Sequence, residues 1–219
     1  MNCIVTAGPT YEALDEVRRL TNFSTGKLGT ELANFLVARG HDVTLLLGYY
    51  STYRGEQFAQ TVRTFSSTAQ LADMLREAAG ETIGAVFHAA AVSDFKFGKI
   101  WKRSPTGELT ELQAGKISTR RGTLLAELVP TTKIIAHLRG WYPHARIVGW
   151  KYEVDGGRAQ VLAKAEQQVA ENQINACVAN GRAYGPGFGF VTGAGESKHC
   201  VDQPALFDTL AEQAGKSGK

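Results

Sequence analysis

The sequence predicts an α/β fold: a Rossmann-like, mostly parallel sheet with helices on both faces and a flap or hairpin insertion. Three observations predict it. Apolar strand-like runs alternate with amphipathic helical stretches, as in a parallel sheet covered on both sides. The chain opens strand, long loop, helix, strand, a Rossmann-like beginning. Two long stretches, 7–26 and 95–123, break the alternation without ending it.

Strands are predicted at about 3–6, 42–47, 85–88, 146–150, 176–179 and 188–192, and helices at 27–38, 68–78, 132–139, 159–171 and 203–213. In the first helix Leu28, Leu32, Phe35 and Leu36 recur at helical spacing, and Gly40 follows as the stop. The 7–26 stretch is far longer than the roughly 2–6 residues that usually join a strand to its helix. The 95–123 stretch carries Lys, Arg, Gly and the turn-like Ser104-Pro105-Thr106-Gly107, which reads as a flap leaving the sheet. No repeat or linker divides the chain, so 1–214 reads as one domain and 215–219 as a disordered tail.

Composition is that of an ordinary soluble protein, 43% hydrophobic and 21% charged, with a formal net charge of +3. Lys and Arg are scattered rather than gathered into a stripe, which argues against nucleic acid. No apolar stretch reaches the ~20 residues of a membrane span, and the N-terminus enters a strand without a signal-like segment. Three sparse cysteines, with no CxxC pair and no His cluster beside them, argue against a disulfide framework or a zinc site. Cys3 and Cys177, inside apolar runs, read as core residues. A cytoplasmic location is the expectation.

The first motif is Gly8-Pro9-Thr10 followed by Asn22-Phe23-Ser24-Thr25-Gly26-Lys27-Leu28-Gly29. Ser24, Gly26 and Gly29 fall where the loop enters the first helix. Free N–H groups and the helix dipole there favour a phosphate, and glycines let it approach the backbone. The same residues also suit a plain N-cap and tight turn. A P-loop does not fit, since Thr21 stands where its first glycine belongs and Leu28 follows Lys27. A dinucleotide fingerprint does not fit either, because the second strand ends Leu46-Leu47-Gly48-Tyr49-Tyr50 with no carboxylate for a ribose. Nor has any Tyr a Lys four residues later. Hydride chemistry is disfavoured.

His88-Ala89-Ala90-Ala91-Val92-Ser93-Asp94-Phe95 ends the third strand. Small residues at that end leave room for a ligand, and Asp94 can accept from a sugar hydroxyl or base amine; an Ala-rich packing contact with Asp94 as a cap remains the other reading. His88 reads as a structural strand-end residue. In Gly115-Lys116-Ile117-Ser118, Lys116 is either a cation at the foot of the flap, able to close over a polyphosphate, or a solvated loop lysine. Trp150 and Asn180 fall at the carboxyl ends of their strands, on the same rim as Gly8 and Asp94; an aromatic there can stack and an Asn can bridge donors and acceptors.

Taken in order, residues 6–10, 22–29, 89–95, 116–118, 130–135, 149–151 and 178–180 resemble the phosphopantothenate–cysteine ligase family, over about residues 2–192. Many bacterial relatives carry this domain behind a flavin-dependent decarboxylase, whereas this chain begins at the ligase strand and reads as monofunctional. The resemblance implies a ligase of coenzyme A biosynthesis that joins 4′-phosphopantothenate to cysteine through an acyl-nucleotide. CTP is favoured and ATP is the alternative, with Mg²⁺ riding on the triphosphate, no flavin, no NAD and a homodimeric enzyme. Matched residue by residue, it makes Asn22 the holder of the acyl-nucleotide and Lys116 the supporter of nucleotide transfer. Ser24, Gly26 and Gly29 become the substrate phosphate loop, and Gly8, Ala90, Ala91 and Asp94 the nucleotide crevice. Trp150, where an aromatic usually Phe stands, and Asn180 line the pocket. Two departures are visible. Ser118 and Thr119, followed by Arg120 and Arg121, stand where many relatives continue with lysines, and Lys164 comes at least a turn before the expected late-helix lysines. The alternatives are an NAD(P)-dependent oxidoreductase or epimerase on a Rossmann-like fold, and a non-catalytic nucleotide-binding relative.

Overall fold

Within the first strand, Asn2–Ala7, Ile4 enters one apolar core while Cys3, Val5 and Ala7 enter another. A strand buried on both faces requires cover on both. The computed structural model, which describes residues 1–80, 82–112, 115–118, 122–193 and 195–215, supplies it.

The elements begin β1 (Asn2–Ala7), β2 (Tyr11–Ala13), β3 (Arg19–Thr21), α1 (Lys27–Ala38), β4 (Asp42–Gly48), β5 (Thr61–Phe65), α2 (Thr68–Ala78) and β6 (Ala85–His88). They continue β7 (Phe95–Arg103), β8 (Leu109–Glu111), β9 (Leu124–Pro130), α3 (Ile135–Trp141) and β10 (Arg146–Tyr152). The last are α4 (Arg158–Asn172), β11 (Ala176–Asn180), β12 (Phe188–Gly193), β13 (Glu196–Cys200) and α5 (Gln203–Gly215).

The main sheet has eight strands in the order β13-β12-β11-β10-β6-β1-β4-β5. The six from β11 to β5 run parallel, and β12 and β13 add an antiparallel edge. Val5, Leu45, Phe87, Val148 and Val178 face α1 and α5, joining Leu32, Leu36, Leu206 and Leu210. Ile4, Leu46, Val86, Ile147 and Cys177 face α2, α3 and α4, joining Leu71, Leu75, Leu138 and Val161. The chain runs from β1 outward to β4 and β5, then returns across β1 to β6. Strand order therefore reverses between β1 and β6, and in sheets of this kind the ligand crevice lies outside the carboxyl ends of the strands at that switch point.

The predicted parallel sheet, helices on both faces and flap are all present. The flap is a second sheet, β8-β7-β9, that runs from Phe95 through Pro130 and not to 123. Its root is closed by Thr131, whose N–H donates to Asp94 O at 2.9 Å and whose hydroxyl donates to Ser93 O. Those bonds hold Pro130 and Thr131 as strand end, so α3 starts at Ile135 and not at 132. The long 7–26 stretch is not plain loop: it contains the β2–β3 hairpin, pinned by the Arg19 guanidinium 3.3 Å above the Tyr50 ring. β2 and β3 are too short, and β5 and β13 too exposed, to announce themselves by apolar pattern. Gly215 ends α5 and is not part of a tail; the expected disorder at 216–219 lies outside the described residues, as do Thr119, Arg120 and Arg121.

All three cysteines are buried and free. Burial pushes the Cys177 thiol up to about 12, so it stays protonated and behaves as a core residue, as the sequence predicts. Among the described residues no helix is long and apolar enough to cross a membrane.

Candidate active site

Beyond β1 the chain turns at Gly8, whose φ of +80° only glycine adopts without strain. It then lies along the strand-like segment leaving β6: Pro9 bridges Ala91, Ala91 N–H donates to Gly8 O at 2.9 Å, and Thr10 N–H donates to Ala91 O at 3.1 Å. The Asn22 side-chain amide donates to the same Ala91 oxygen at 3.0 Å. An amide has two N–H groups, so one of them remains for a ligand. Gly8, Ala91 and Asn22 are thereby brought to one place, the switch point between β1 and β6.

Thr10 is the pin of this region. Its hydroxyl accepts from Ser93 N–H at 2.8 Å and from the Thr68 hydroxyl at 3.3 Å, and its carbonyl accepts from the Thr21 hydroxyl at 2.9 Å. One buried threonine thus joins the hairpin, the β6 exit and the start of α2. Beneath Ala90, the Thr6 hydroxyl accepts from Ala90 N–H at 3.1 Å and meets His88 Nδ1 at 2.9 Å. The Thr6 hydroxyl, which has one donor and two acceptor sites, serves both groups at once. Burial alone holds His88 down at about 4.

This predicts a pH dependence of stability. Between about pH 6.5 and 4 the unfolded chain binds a proton that the folded chain refuses, so stability falls as pH falls through that window, by on the order of 3 kcal/mol for this group. Urea denaturation at a series of pH values checks it: His88→Gln, which does not titrate, should have a flatter profile, and an unchanged slope would exclude His88 as the cause.

At the other side of the crevice stands the mouth of α1. Gly26 is its N-cap, with φ +81° and no side-chain cap; Thr25 Oγ1 receives only Lys27 N–H at 3.3 Å. The first intrahelical bond is Thr30 N–H to Gly26 O at 3.1 Å, so the Leu28 and Gly29 amides lie ahead of the helical ladder. Ser24 precedes them, half-buried. Gly29 also has a packing role, since a Cβ there would fall 2.6 Å from Ala7 Cβ and 3.2 Å from Thr6 O. That contact seats the helix on β1.

Asp94, at the crevice exit, is exposed at the start of β7. Asn180 ends β11, but β10 continues two residues past Trp150 to Tyr152, because Lys151 and Tyr152 still pair with Ala179 and Asn180. Trp150 is therefore inside its strand, on the α1 side of the sheet and two residues from Asn180 in register. Trp150 Nε1 and Asn180 Oδ1 are both buried and, among the described residues, have no hydrogen-bond partner. Lys164 is bound to Glu153 at 2.6 Å, and Lys151 lies 3.6 Å from the same carboxylate, so neither is an unpaired cation.

Lys116 is exposed, and the chain on both sides of it is fixed. Glu16 N–H donates to Gly115 O at 2.9 Å, Ile117 N–H donates to Asp15 Oδ2 at 3.1 Å, and Arg18 Nη2 donates to Ile117 O at 2.8 Å. Asp15 also holds the Arg18 guanidinium, and that hydrogen bond keeps its carboxyl well below the usual carboxylate range. Sequence reasoning missed Asp15, Arg18, Thr6 and Thr10: each acts through a partner 80 or more residues away, or through its own short turn. A hollow of about 710 Å³ at the flap tip, lined by Lys102, Ser104, Thr106 and Gly122, collects exposed turn residues and none of the groups above. Among the described residues no cluster of His, Cys, Asp or Glu could hold a metal ion.

A doubly wound sheet with a glycine-rich helix mouth and an amide at its switch point defines a Rossmann-like α/β protein. Residues 1–196 match the DNA/pantothenate metabolism flavoprotein C-terminal domain, and the chain belongs to that family. It is 32% identical over 190 residues to the coenzyme A biosynthesis bifunctional protein CoaBC of Bacillus subtilis, covering 85% of this chain and 42% of that one. The protein of the same name from Thermococcus kodakarensis is 29% identical over 178 residues, covering 81% and 40%. The chain thus spans about two fifths of the length of these relatives. The crystal structure of the DNA/pantothenate metabolism flavoprotein from Streptococcus pneumoniae superposes with a TM-score of 0.83 at 23% identity, over 97% of each chain, and shares the fold.

Proposed function

We propose that this chain is a phosphopantothenate–cysteine ligase domain of coenzyme A biosynthesis. The phosphopantothenate carboxylate attacks the α-phosphate of a nucleoside triphosphate, pyrophosphate leaves, and the cysteine amine then displaces the nucleoside monophosphate from the acyl-nucleotide. A carboxylate is a poor electrophile until it carries such a leaving group, so the protein's work is alignment and stabilisation of oxyanion charge. One observation carries the reading: Gly8 is bonded to Ala91, which holds the Asn22 amide at the β1/β6 switch, and shares its Ser51 neighbour with Gly26, the uncapped mouth of α1. An acid with a phosphate at one end and a carboxylate at the other needs two such grips. The names of the relatives point the same way.

In this reading Asn22 holds the acyl oxygen, and Ser24, Gly26 and Gly29 receive the substrate phosphate. Gly8, Ala90, Ala91 and Asp94 line the nucleotide crevice, with Trp150 and Asn180 along its rim. Lys116 supports nucleotide transfer, carried on a segment that Asp15 and Arg18 hold at Ile117 and the Glu16 N–H holds at Gly115. Mg²⁺ enters with the triphosphate, the enzyme acts as a homodimer in the cytoplasm, and CTP is preferred to ATP. The test is pyrophosphate release with CTP and ATP side by side. Release should require phosphopantothenate, and product should require cysteine; release with neither nucleotide defeats the proposal. Lys116→Gln is expected to slow acyl-nucleotide formation by about 10²-fold in single-turnover quench experiments, a usual size for losing one charge-stabilising group. Normal activation by that variant would remove Lys116 from the first step.

A further inference from the structure

Ser51 follows β4 and is 5% exposed, yet among the described residues its hydroxyl has no hydrogen-bond partner. Its backbone is fixed: Ser51 N–H donates to Gly48 O at 2.9 Å, and Ser51 O accepts from Arg54 Nη1 at 3.0 Å. Two residues on, Tyr53 N–H donates to Thr25 O at 3.0 Å, which ties this loop to the entry of α1. The hydroxyl projects between two glycines. A Cβ on Gly8 would lie 1.9 Å from Ser51 Oγ, and one on Gly26 2.7 Å from it. It therefore stands between the carboxyl end of β1 and the N-cap of α1, where the Leu28 and Gly29 amides lie ahead of the helical ladder. A buried hydroxyl left unpaired is destabilising, and proteins retain few of them without a reason.

We propose that Ser51 is a further anion ligand of this site, its hydroxyl donating to a phosphate oxygen seated at the α1 mouth beside the Gly26, Leu28 and Gly29 backbone. The inference rests on the ligase reading for the presence of phosphate ligands and deepens it by naming a residue that reading does not use. The shared chemistry is a phosphate oxygen; it comes either from the nucleotide polyphosphate or from the phosphorylated acid.

The experiment is calorimetric titration of wild type and Ser51→Ala with inorganic pyrophosphate, CTP, ATP and 4′-phosphopantothenate, with cytidine as the phosphate-free reference, beside thermal melts of the free proteins. Ser51→Ala should weaken whichever phosphate ligand occupies the helix mouth by about 10- to 100-fold, the range for a hydrogen bond to a charged group. Cytidine binding should be unchanged, and the melting temperature of the free variant unchanged or higher, because an unpaired hydroxyl is gone. The ligand that weakens identifies the source. Binding of every phosphate ligand within twofold of wild type overturns the assignment, and so does a clear fall in melting temperature, which would show the hydroxyl partnered within the fold. If wild type binds none of these ligands, the ligase reading falls together with it, an outcome distinct from the first two.

Discussion

Asn22→Ala is expected to lower turnover by about 10²–10³-fold with little change in stability. The side chain is exposed just past β3 and, among the described residues, makes one hydrogen bond, to Ala91 O. That oxygen keeps Thr10 N–H when Asn22 is removed, so no buried acceptor is orphaned and the cost to folding is about 0.5–1.5 kcal/mol at most. In the ligase reading, what disappears is the second N–H donor of an amide anchored at Ala91, useful only where negative charge develops. The loss should therefore appear in the chemical step, with substrate affinity nearly kept. Asn22→Asp refines the test, because it preserves shape and removes the donor. Steady-state pyrophosphate release and product formation, measured beside a thermal melt, decide the matter; wild-type turnover in Asn22→Ala would take this residue out of the mechanism.

Gly29→Ala is expected to destabilise the protein even without ligand. On an exposed helix the change would be favourable by up to about 1 kcal/mol, since glycine is the poorer helix former. Here the added Cβ meets Ala7 Cβ at 2.6 Å and Ala7 Cα at 3.2 Å, atoms of the central strand that cannot swing aside. Overpacking of this kind costs about 1–3 kcal/mol and should exceed the propensity gain. Relief requires α1 to lift from β1, which displaces the amides at its mouth, so phosphate binding should weaken as well. Each kcal/mol corresponds to roughly 2–4 °C in melting temperature for a chain of this size. A variant with an unchanged melting temperature and weaker phosphate binding would mean that Gly29 serves the ligand alone.

The contrast between Gly29 and Ser51 shows what a sequence displays. Gly29 belongs to a glycine-rich run at a predicted strand-to-helix boundary, a local pattern with a local physical reason. Ser51 sits in Gly48-Tyr49-Tyr50-Ser51, which has no periodicity and no motif; only the packing of the β4 exit against Gly8 and Gly26 gives its hydroxyl a meaning. His88 is similar. Its position at a strand end was legible, whereas its partner Thr6, 82 residues away, was not. Lys116 could be noticed as a cation at the foot of a flap, but the Asp15 and Arg18 bonds that fix its neighbour Ile117 join residues about 100 apart. β5 and β13 escaped for the opposite reason: edge strands expose most of their residues, so they lack the apolar pattern that marks buried ones.

The sequence by itself determined the parallel α/β architecture, the flap, the crevice at the strand ends and the residue types gathered there, because burial periodicity and glycine placement are local constraints written along the chain. Tertiary structure alone decided which of those residues meet. Hydrogen bonds such as Asn22 to Ala91 and Thr10 to Ser93, and the close approach of Ser51 to two glycines, depend on the strand order that brings β1, β4 and β6 side by side. Such contacts span tens of residues, and no spacing along the chain encodes their distance.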